Sequence, residues 1–409
     1  MTEHQLEAPT APQLPPSRPS LRRDVSLPAL LAGLVCIAVG FSGPLVVVLA
    51  GAAAGHLDAA HTASWIWAVA MGCGLTCLLL SWRTRQPVIT AWSTPGAALL
   101  VTGLASYPYR EAVGAYLLCG VAVTVIGVTG LFGRLIAAIP TGIVNAMLAG
   151  ILFEFGVGIF KALPSAPALV LGSFAAFLLA KRLVPRYAVP LALLAGGVLA
   201  AATVGLPLHL GGGGPVHPVL TTPAFSWSAT VGLALPLTIA ALASQDAPGL
   251  GIMRASGYQP DDRLLVTSTG AVSVLLAPFG SPGVNLAAIT AAICTSAESH
   301  PDPRRRYIAG MSTGLLYLLV GSFAGLLVSL FTGLPTALIA VVAGVALLGA
   351  LQSSLTAALA DPADRDGAVI TFLATASGLT LHGIGSAFWG LLLGLATHLL
   401  LRWRPGARA

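Results

Sequence analysis

The chain has 409 residues, of which 56% are hydrophobic and 8% charged; soluble proteins carry about a quarter charged residues, so a soluble globular protein is excluded. At about 20 apolar residues per bilayer crossing, the length holds many spans, which also excludes single-span receptors and peripheral enzymes. The 20 basic residues outnumber the 14 acidic ones, a surplus that in a membrane protein reports topology; no nucleic-acid partner is expected.

Residues 1–24 hold Pro9, Pro12, Pro15, Pro16 and Pro19 among polar residues and contain Arg22 and Arg23. They read as a disordered cytoplasmic tail rather than a cleavable signal peptide. Apolar runs broken by charges, Gly and Pro then give fourteen candidate spans, at 27–51, 65–82, 88–105, 111–132, 138–160, 165–181, 188–206, 229–247, 263–277, 284–298, 307–331, 334–352, 354–379 and 382–402. The fold class is therefore an all-α polytopic membrane protein. In the first span, Gly40-Phe41-Ser42-Gly43-Pro44 is a break that lets Phe41 face a cavity. The thirteenth is interrupted by Asp361, Pro362, Asp364, Arg365 and Asp366.

The third span opens on the β-favouring run Gln86-Pro87-Val88-Ile89-Thr90-Ala91-Trp92 and continues as Ser93-Thr94-Pro95-Gly96 into an Ala- and Leu-rich stretch. Proline just after a Ser/Thr cap marks a helix start. The tenth span repeats the step as Phe279-Gly280-Ser281-Pro282-Gly283-Val284-Asn285 before another Ala-rich run. Fourteen spans divide into two halves of seven, and because seven is odd the halves are inverted, a 7+7 inverted repeat; the matching breaks predict that spans 3 and 10 are discontinuous, with the substrate between their half-helices. Free N–H groups at a half-helix start attract an anion, and such backbone is tolerated in hydrocarbon only where it lines a cavity. The bland alternative is that Pro and Gly merely kink two helices.

Two carboxyls stand out among so few charges. Glu154, in the fifth span, has no basic residue within six positions on either side; it serves either as a proton relay or as a neutral hydrogen-bonding group between helices. Asp246 follows Gln245 at the end of the eighth span, in Ser244-Gln245-Asp246-Ala247-Pro248-Gly249. It is either a proton-exchanging group near the midplane or a solvated cap paired with Arg254. Glu298 reads as a loop cap ahead of Arg304, Arg305 and Arg306.

With a cytoplasmic N-terminus, 18 of the 20 basic residues fall on the cytoplasmic side and only Arg110 and Lys161 on the other, as the positive-inside rule requires. Cys36, Cys73, Cys77, Cys119 and Cys294 all lie in apolar runs, which indicates neither disulfides nor a metal cluster. No zinc pair, P-loop or nucleophile elbow occurs, so neither enzyme activity, a metal nor a cofactor is expected, and ion gradients remain as the energy source.

The segments Thr90 to Leu99, Ser244 to Gly249 and Asn285 to Cys294 resemble the benzoate:proton symporter (BenE) family, over residues 25–402. The resemblance implies a multi-pass protein of the bacterial inner membrane that imports benzoate with protons, on a fold similar to that of the uracil:proton symporters and sulfate permeases. It further implies that spans 3 and 10 are each a short strand plus a half-helix, with a core domain (25–132 and 229–331), a gate domain (133–206 and 332–402) and, by analogy, a homodimer; the uncharged stretch 207–228, with Gly211 to Gly214 and several prolines, reads from the sequence itself as the external linker between repeats. Two positions depart from the family pattern: Asp246 stands where Asn is expected, and Pro282 where a His is expected. The site implied comprises Phe41, Trp92, Ser93, Thr94, Gly96, Gln245, Phe279, Ser281, Gly283 and Asn285 for an aromatic carboxylate, with Asp246 and Glu154 for the proton. A nucleobase or inorganic-anion carrier of the same fold is the alternative.

Overall fold

The computed structural model describes residues 21–42, 44–138, 140–203 and 214–402. The Pro-rich tail to residue 20, Gly43 of the first-span break, and residues 207–213 of the expected linker lie outside the described residues. The protein is mostly helical, about 78%. The helices are α1 (Leu27–Ser42), α2 (Pro44–Ala54), α3 (Ala59–Thr84), α4 (Thr94–Ser106), α5 (Tyr109–Thr129), α6 (Thr141–Lys161), α7 (Pro167–Leu183), α8 (Ala188–Thr203) and α9 (Trp227–Ala255). They continue as α10 (Asp262–Leu276), α11 (Ile289–Thr295), α12 (Tyr307–Ser322), α13 (Ala324–Thr332), α14 (Thr336–Ala358), α15 (Arg365–Ala376) and α16 (Ser386–Arg402). Strands β1 (Thr90–Ala91) and β2 (Asn285–Leu286) precede α4 and α11.

Each of the fourteen segments expected from the sequence overlaps a helix, several of them only in part. Among the described residues, α3, α5, α6, α9 and α14 are each long and apolar enough to cross a bilayer, α1 and α2 together make a sixth span, and a seventh candidate is the α12–α13 pair, bent by 64°. The others are shorter, from the 7 residues of α11 to the 17 of α7 and α16. Several boundaries differ from expectation; the twelfth segment runs on to Ala358, and the thirteenth is helical only from Arg365, after its charged interruption. The eighth segment runs to Ala255, with π turns at Thr230–Ala234 and Leu242–Asp246, so Asp246 lies inside it rather than at its end. The tenth does not become helical at Ser281-Pro282-Gly283. It passes through a 3-10 turn, Ala277–Phe279, and β2 before α11 begins at Ile289.

Local chemistry sets the helix starts. Asp58, Ser93, Ser226 and Asp261 each accept a hydrogen bond from the amide three residues on, at 2.8, 3.0, 3.2 and 3.1 Å, which satisfies one of the orphan donors of the first turn. Arg85 ends the α3 region in the left-handed conformation at φ 55°. The connections gather on two faces. On one, Arg305 donates to the carbonyl of Arg23, Gln86 to Gln259, Tyr258 to Pro303 and Arg263 to Thr129; this is the basic face. On the opposite face Tyr107 donates to the carbonyl of Gly383, Arg110 to Thr222, Ser64 to Phe279, and Ser226 to the Glu111 carboxylate.

The principal packing pairs are α3 with α12, α5 with α10, α6 with α14, and α15 with α16. Such close approach needs small residues, since packing rather than water expulsion drives helix association in a membrane. A Cβ added at Gly127 of α5 would lie 2.5 Å from the Thr267 amide of α10, and one at Gly270 of α10 would lie 2.5 Å from the Thr124 amide of α5. The two glycines are thus reciprocal, and backbone atoms cannot step aside as a side chain could.

Gly127→Leu or Gly270→Leu is expected to cost about 1–3 kcal/mol or more through overpacking, read as a lowered unfolding midpoint in detergent; Gly197→Leu, where a Cβ meets nothing within 4 Å, is expected to leave it unchanged. At the α3 cap, the His61 amide and ring hold the Asp58 carboxyl below the usual carboxylate range. The cap's contribution is therefore complete above about pH 3.9 and lost as pH falls through the lower folded value; Asp58→Ala should remove that acid limb from the pH dependence of unfolding.

Candidate functional site

β1 and β2 pair antiparallel, Thr90 opposite Leu286 and Ala91 opposite Asn285, and the Ala287 amide extends the ladder to the Ile89 carbonyl at 2.9 Å. The strands come from segments almost 200 residues apart and meet in the interior, each leading into a half-helix. Extended backbone in an apolar layer leaves donors and acceptors that no helix satisfies, and each unmet group is costly. Each strand meets that demand on one edge with the other strand. Its other edge is met by side chains.

For the first strand the supplier is α3. Ser81 accepts from the Val88 amide at 3.1 Å and donates to the Val88 carbonyl at 3.0 Å, and the Cys77 sulfur accepts from the Thr90 amide at 3.1 Å. The Thr76 and Thr90 hydroxyls lie 2.6 Å apart. For the second strand, Ser273 of α10 accepts from the Val284 amide at 2.8 Å, and Asp246 of α9 accepts from the Leu286 amide at 2.9 Å through Oδ1. Asp246 is fully buried, and its Oδ2 has no hydrogen-bond partner among the described residues. Its place in a π turn matters, because the extra residue in the turn shifts the side chain relative to a regular helix, and such turns cluster at functional sites. Gly249, one turn on, permits this contact: a Cβ there would lie 2.7 Å from the Leu286 side chain.

Around this crossing the sequence-predicted residues divide into two groups. Ser93 caps α4 by accepting from the Gly96 amide at 3.0 Å, and Thr94 opens the helix. Asn285 is buried in β2, and Gln245 is half-buried in the π turn beside Asp246. Trp92 directly follows β1, and its ring packs edge-on against Phe41 at 4.8 Å; Phe41 in turn lies 5.5 Å from the Tyr317 ring. Trp92 Nε1 and the Tyr317 hydroxyl are buried donors without a partner among the described residues.

Phe279 and Ser281 fall elsewhere. Phe279 packs on Trp67 at 5.9 Å, and its carbonyl accepts from Ser64 on the face opposite the basic one. Gly280 holds φ 97° against Trp65 and Tyr109. Ser281 is buried in that connection, and Gly283, at φ 145°, leads into β2. The Ser-Pro-Gly step thus ends the 3-10 turn rather than starting the half-helix. The start of α11 is Ala288, with no side-chain cap. Measured from the strands, Ala288 occupies the place that Ser93 holds in the first half.

Glu154 is also not at the crossing. It is ion-paired with Lys161 at 3.4 Å, seven residues on and therefore just beyond the window in which no compensating charge was found. It lines a cavity of about 680 Å³ bounded by α2, α4, α6, α14, α15 and the start of α16. That vestibule opens at the face opposite the basic one and reaches α4 as far as Leu99, about one and a half turns beyond Ser93. None of Phe41, Trp92, Ser93, Gln245, Asp246 and Asn285 lines it. Asp246 is not paired with Arg254, which instead holds Asp262 at 2.5–2.6 Å.

Sequence reasoning missed Thr76, Ser81, Ser273 and Tyr317. A lone hydroxyl on an apolar helix carries little signal, because it equally well bonds its own helix one turn back, as Thr76 and Ser273 also do. The recurrence of Thr76, Cys77 and Ser81 on one flank of α3 was the available signal.

Comparison with known proteins gives three findings. The family model "Benzoate membrane transport protein" matches residues 23–400. The chain is 39% identical to the benzoate membrane transport protein of Acinetobacter baylyi (93% of this chain, 97% of the relative) and 40% identical to the inner membrane protein YdcO of Escherichia coli (91% and 96%). Its fold resembles the transmembrane domain of a cyanobacterial bicarbonate transporter, BicA, with a TM-score of 0.57 at 16% identity, covering 91% of this chain and 96% of that one.

Asp246→Asn keeps the acceptor for the Leu286 amide and is expected to unfold at or above the wild-type midpoint, whereas Asp246→Leu orphans that amide at a cost of about 1–3 kcal/mol; thermal unfolding in detergent separates the two.

Proposed function

The chain belongs to the benzoate membrane transport protein family, and on that premise we propose that this membrane transporter imports benzoate or a related aromatic carboxylate with protons across a bacterial inner membrane. It is not an enzyme: relatives are named as membrane transport proteins. The fourteen helical segments cross as two inverted sets of seven, with both termini cytoplasmic. Residues 25–132 and 229–331 form the core that carries substrate, and residues 133–206 and 332–402 form the gate. Supporting this reading are the 18-to-2 split of basic residues in the sequence and the antiparallel meeting of β1 with β2, which a two-fold axis in the membrane plane would generate.

The observation that carries the mechanism is Asp246, fully buried with one oxygen on the Leu286 amide and the other without a partner among the described residues. A charged carboxylate in that place is costly, and an anionic substrate beside it more so. A proton on Asp246 removes both penalties, so anion and proton enter the crossing together. Glu154 lies in the vestibule with a cation beside it, and the coupling proton is assigned to Asp246 alone. The substrate carboxylate lies at the half-helix starts, where Ser93, Gln245 and Asn285 supply polar groups. Its ring lies against Phe41 and Trp92, whose free Nε1 is available as a donor. Phe279 and Ser281, out at the face, have no part in this arrangement.

A second reading, an inorganic-anion carrier, draws on the likeness to a bicarbonate transporter, which extends to fold alone.

In proteoliposomes, labelled benzoate uptake is expected to follow an imposed inward proton gradient and to be competed by aromatic acids, with Asp246→Asn abolishing the dependence on the gradient. Uptake indifferent to pH rejects symport, and competition by bicarbonate or sulfate but not by aromatic acids selects the second reading.

A further inference from the structure

The vestibule is lined by a carboxylate for which the crossing has no use, Glu154, whose partner Lys161 lies beside the lining rather than in it. Glu154 is the one charged side chain lining the cavity among the described residues, and its Oε2 lies 3.4 Å from Lys161 Nζ at the last residue of α6. Both side chains are open, 50% exposed for Glu154 and 68% for Lys161. The other basic residue expected on this face, Arg110, is held by the Thr222 carbonyl at 3.2 Å. Lys161 is the cation in contact with the lining carboxylate, and an incoming anion can replace that carboxylate.

An exposed ion pair is weak and readily exchanged. An uncompensated Glu154 would repel an anion from the cavity, and an uncompensated Lys161 would hold one there. Together they admit an anion without trapping it. The rest of the wall is mainly apolar and includes Phe155 and Tyr107, and 680 Å³ lies in the range of small-molecule sites.

We propose that the vestibule is a first, weak binding site for the aromatic carboxylate, in which Lys161 exchanges the Glu154 carboxylate for that of the substrate while the ring rests on the apolar wall. Glu154 then acts as the competing internal anion that reclaims Lys161 and releases the substrate toward the crossing. This rests on the reading of the substrate as an aromatic carboxylate.

The test is the KM for benzoate uptake in proteoliposomes at low and high ionic strength. Glu154→Gln is expected to lower KM at low salt and Lys161→Gln to raise it, each by about three- to tenfold, because a charge at a rim acts on capture. Lys161→Arg should keep the wild-type value, and the differences should fade at about 0.5 M salt, where the Debye length falls to a few ångströms. Variants with wild-type KM at low salt, or KM changes that persist at high salt, overturn the filter while leaving the transport reading intact. Absence of benzoate uptake by the wild type instead overturns the substrate reading, and the filter's aromatic ligand with it.

Discussion

Backbone that runs extended through the middle of a membrane must find its hydrogen bonds inside the protein, and the strand crossing is where this chain meets that constraint. Two residues of strand from each half satisfy each other. Ser81 and Cys77 close the outer edge of the first strand, and Ser273 and Asp246 that of the second. Other features follow from it. α3 and α10 must lie close enough to reach the strands. The π turn in α9 must bring Asp246 to Leu286, and Gly249 must leave room for it.

The two strands are served unequally. Hydroxyl and thiol groups complete the first strand, whereas a hydroxyl and a carboxyl serve the second. An asparagine in place of Asp246 would also accept from the Leu286 amide, but it could not carry a charge. The carboxyl leaves one oxygen over, fully buried, and this excess separates a structural prop from a group able to take up a proton. The same residue therefore serves the fold and, in the proposed mechanism, the coupling. Glu154 makes the opposite case. It is exposed and has a cation 3.4 Å away, and its position in the vestibule suits the handling of charge on the way in.

The helical segments were legible in the sequence because apolar runs of this length have few alternatives in a chain with so few charges. The break in the third span was legible too, since Ser93-Thr94-Pro95-Gly96 is a helix start by local chemistry alone. Its counterpart was misplaced for the same reason. Ser281-Pro282-Gly283 carries the same local signal but is spent on a turn at the face, while the true half-helix begins at Ala288 with no cap and hence no signal. What positions it is β2, and β2 exists because β1 pairs with it, a non-local fact. The eighth span was cut short at Asp246 because a charge reads as an end of hydrophobicity; its burial depends on a strand 40 residues away. The pairing of Lys161 with Glu154 was not legible because the two are seven residues, or two helical turns, apart.

The central claim is that substrate anion and proton occupy the crossing together. Titration of purified protein with benzoate in buffers of different ionisation enthalpy measures the protons exchanged on binding. Net proton uptake with benzoate in the wild type, lost in Asp246→Asn, is the expected result. Benzoate binding with no proton exchange, or with exchange unaltered in that variant, would contradict the assignment of the coupling proton to Asp246.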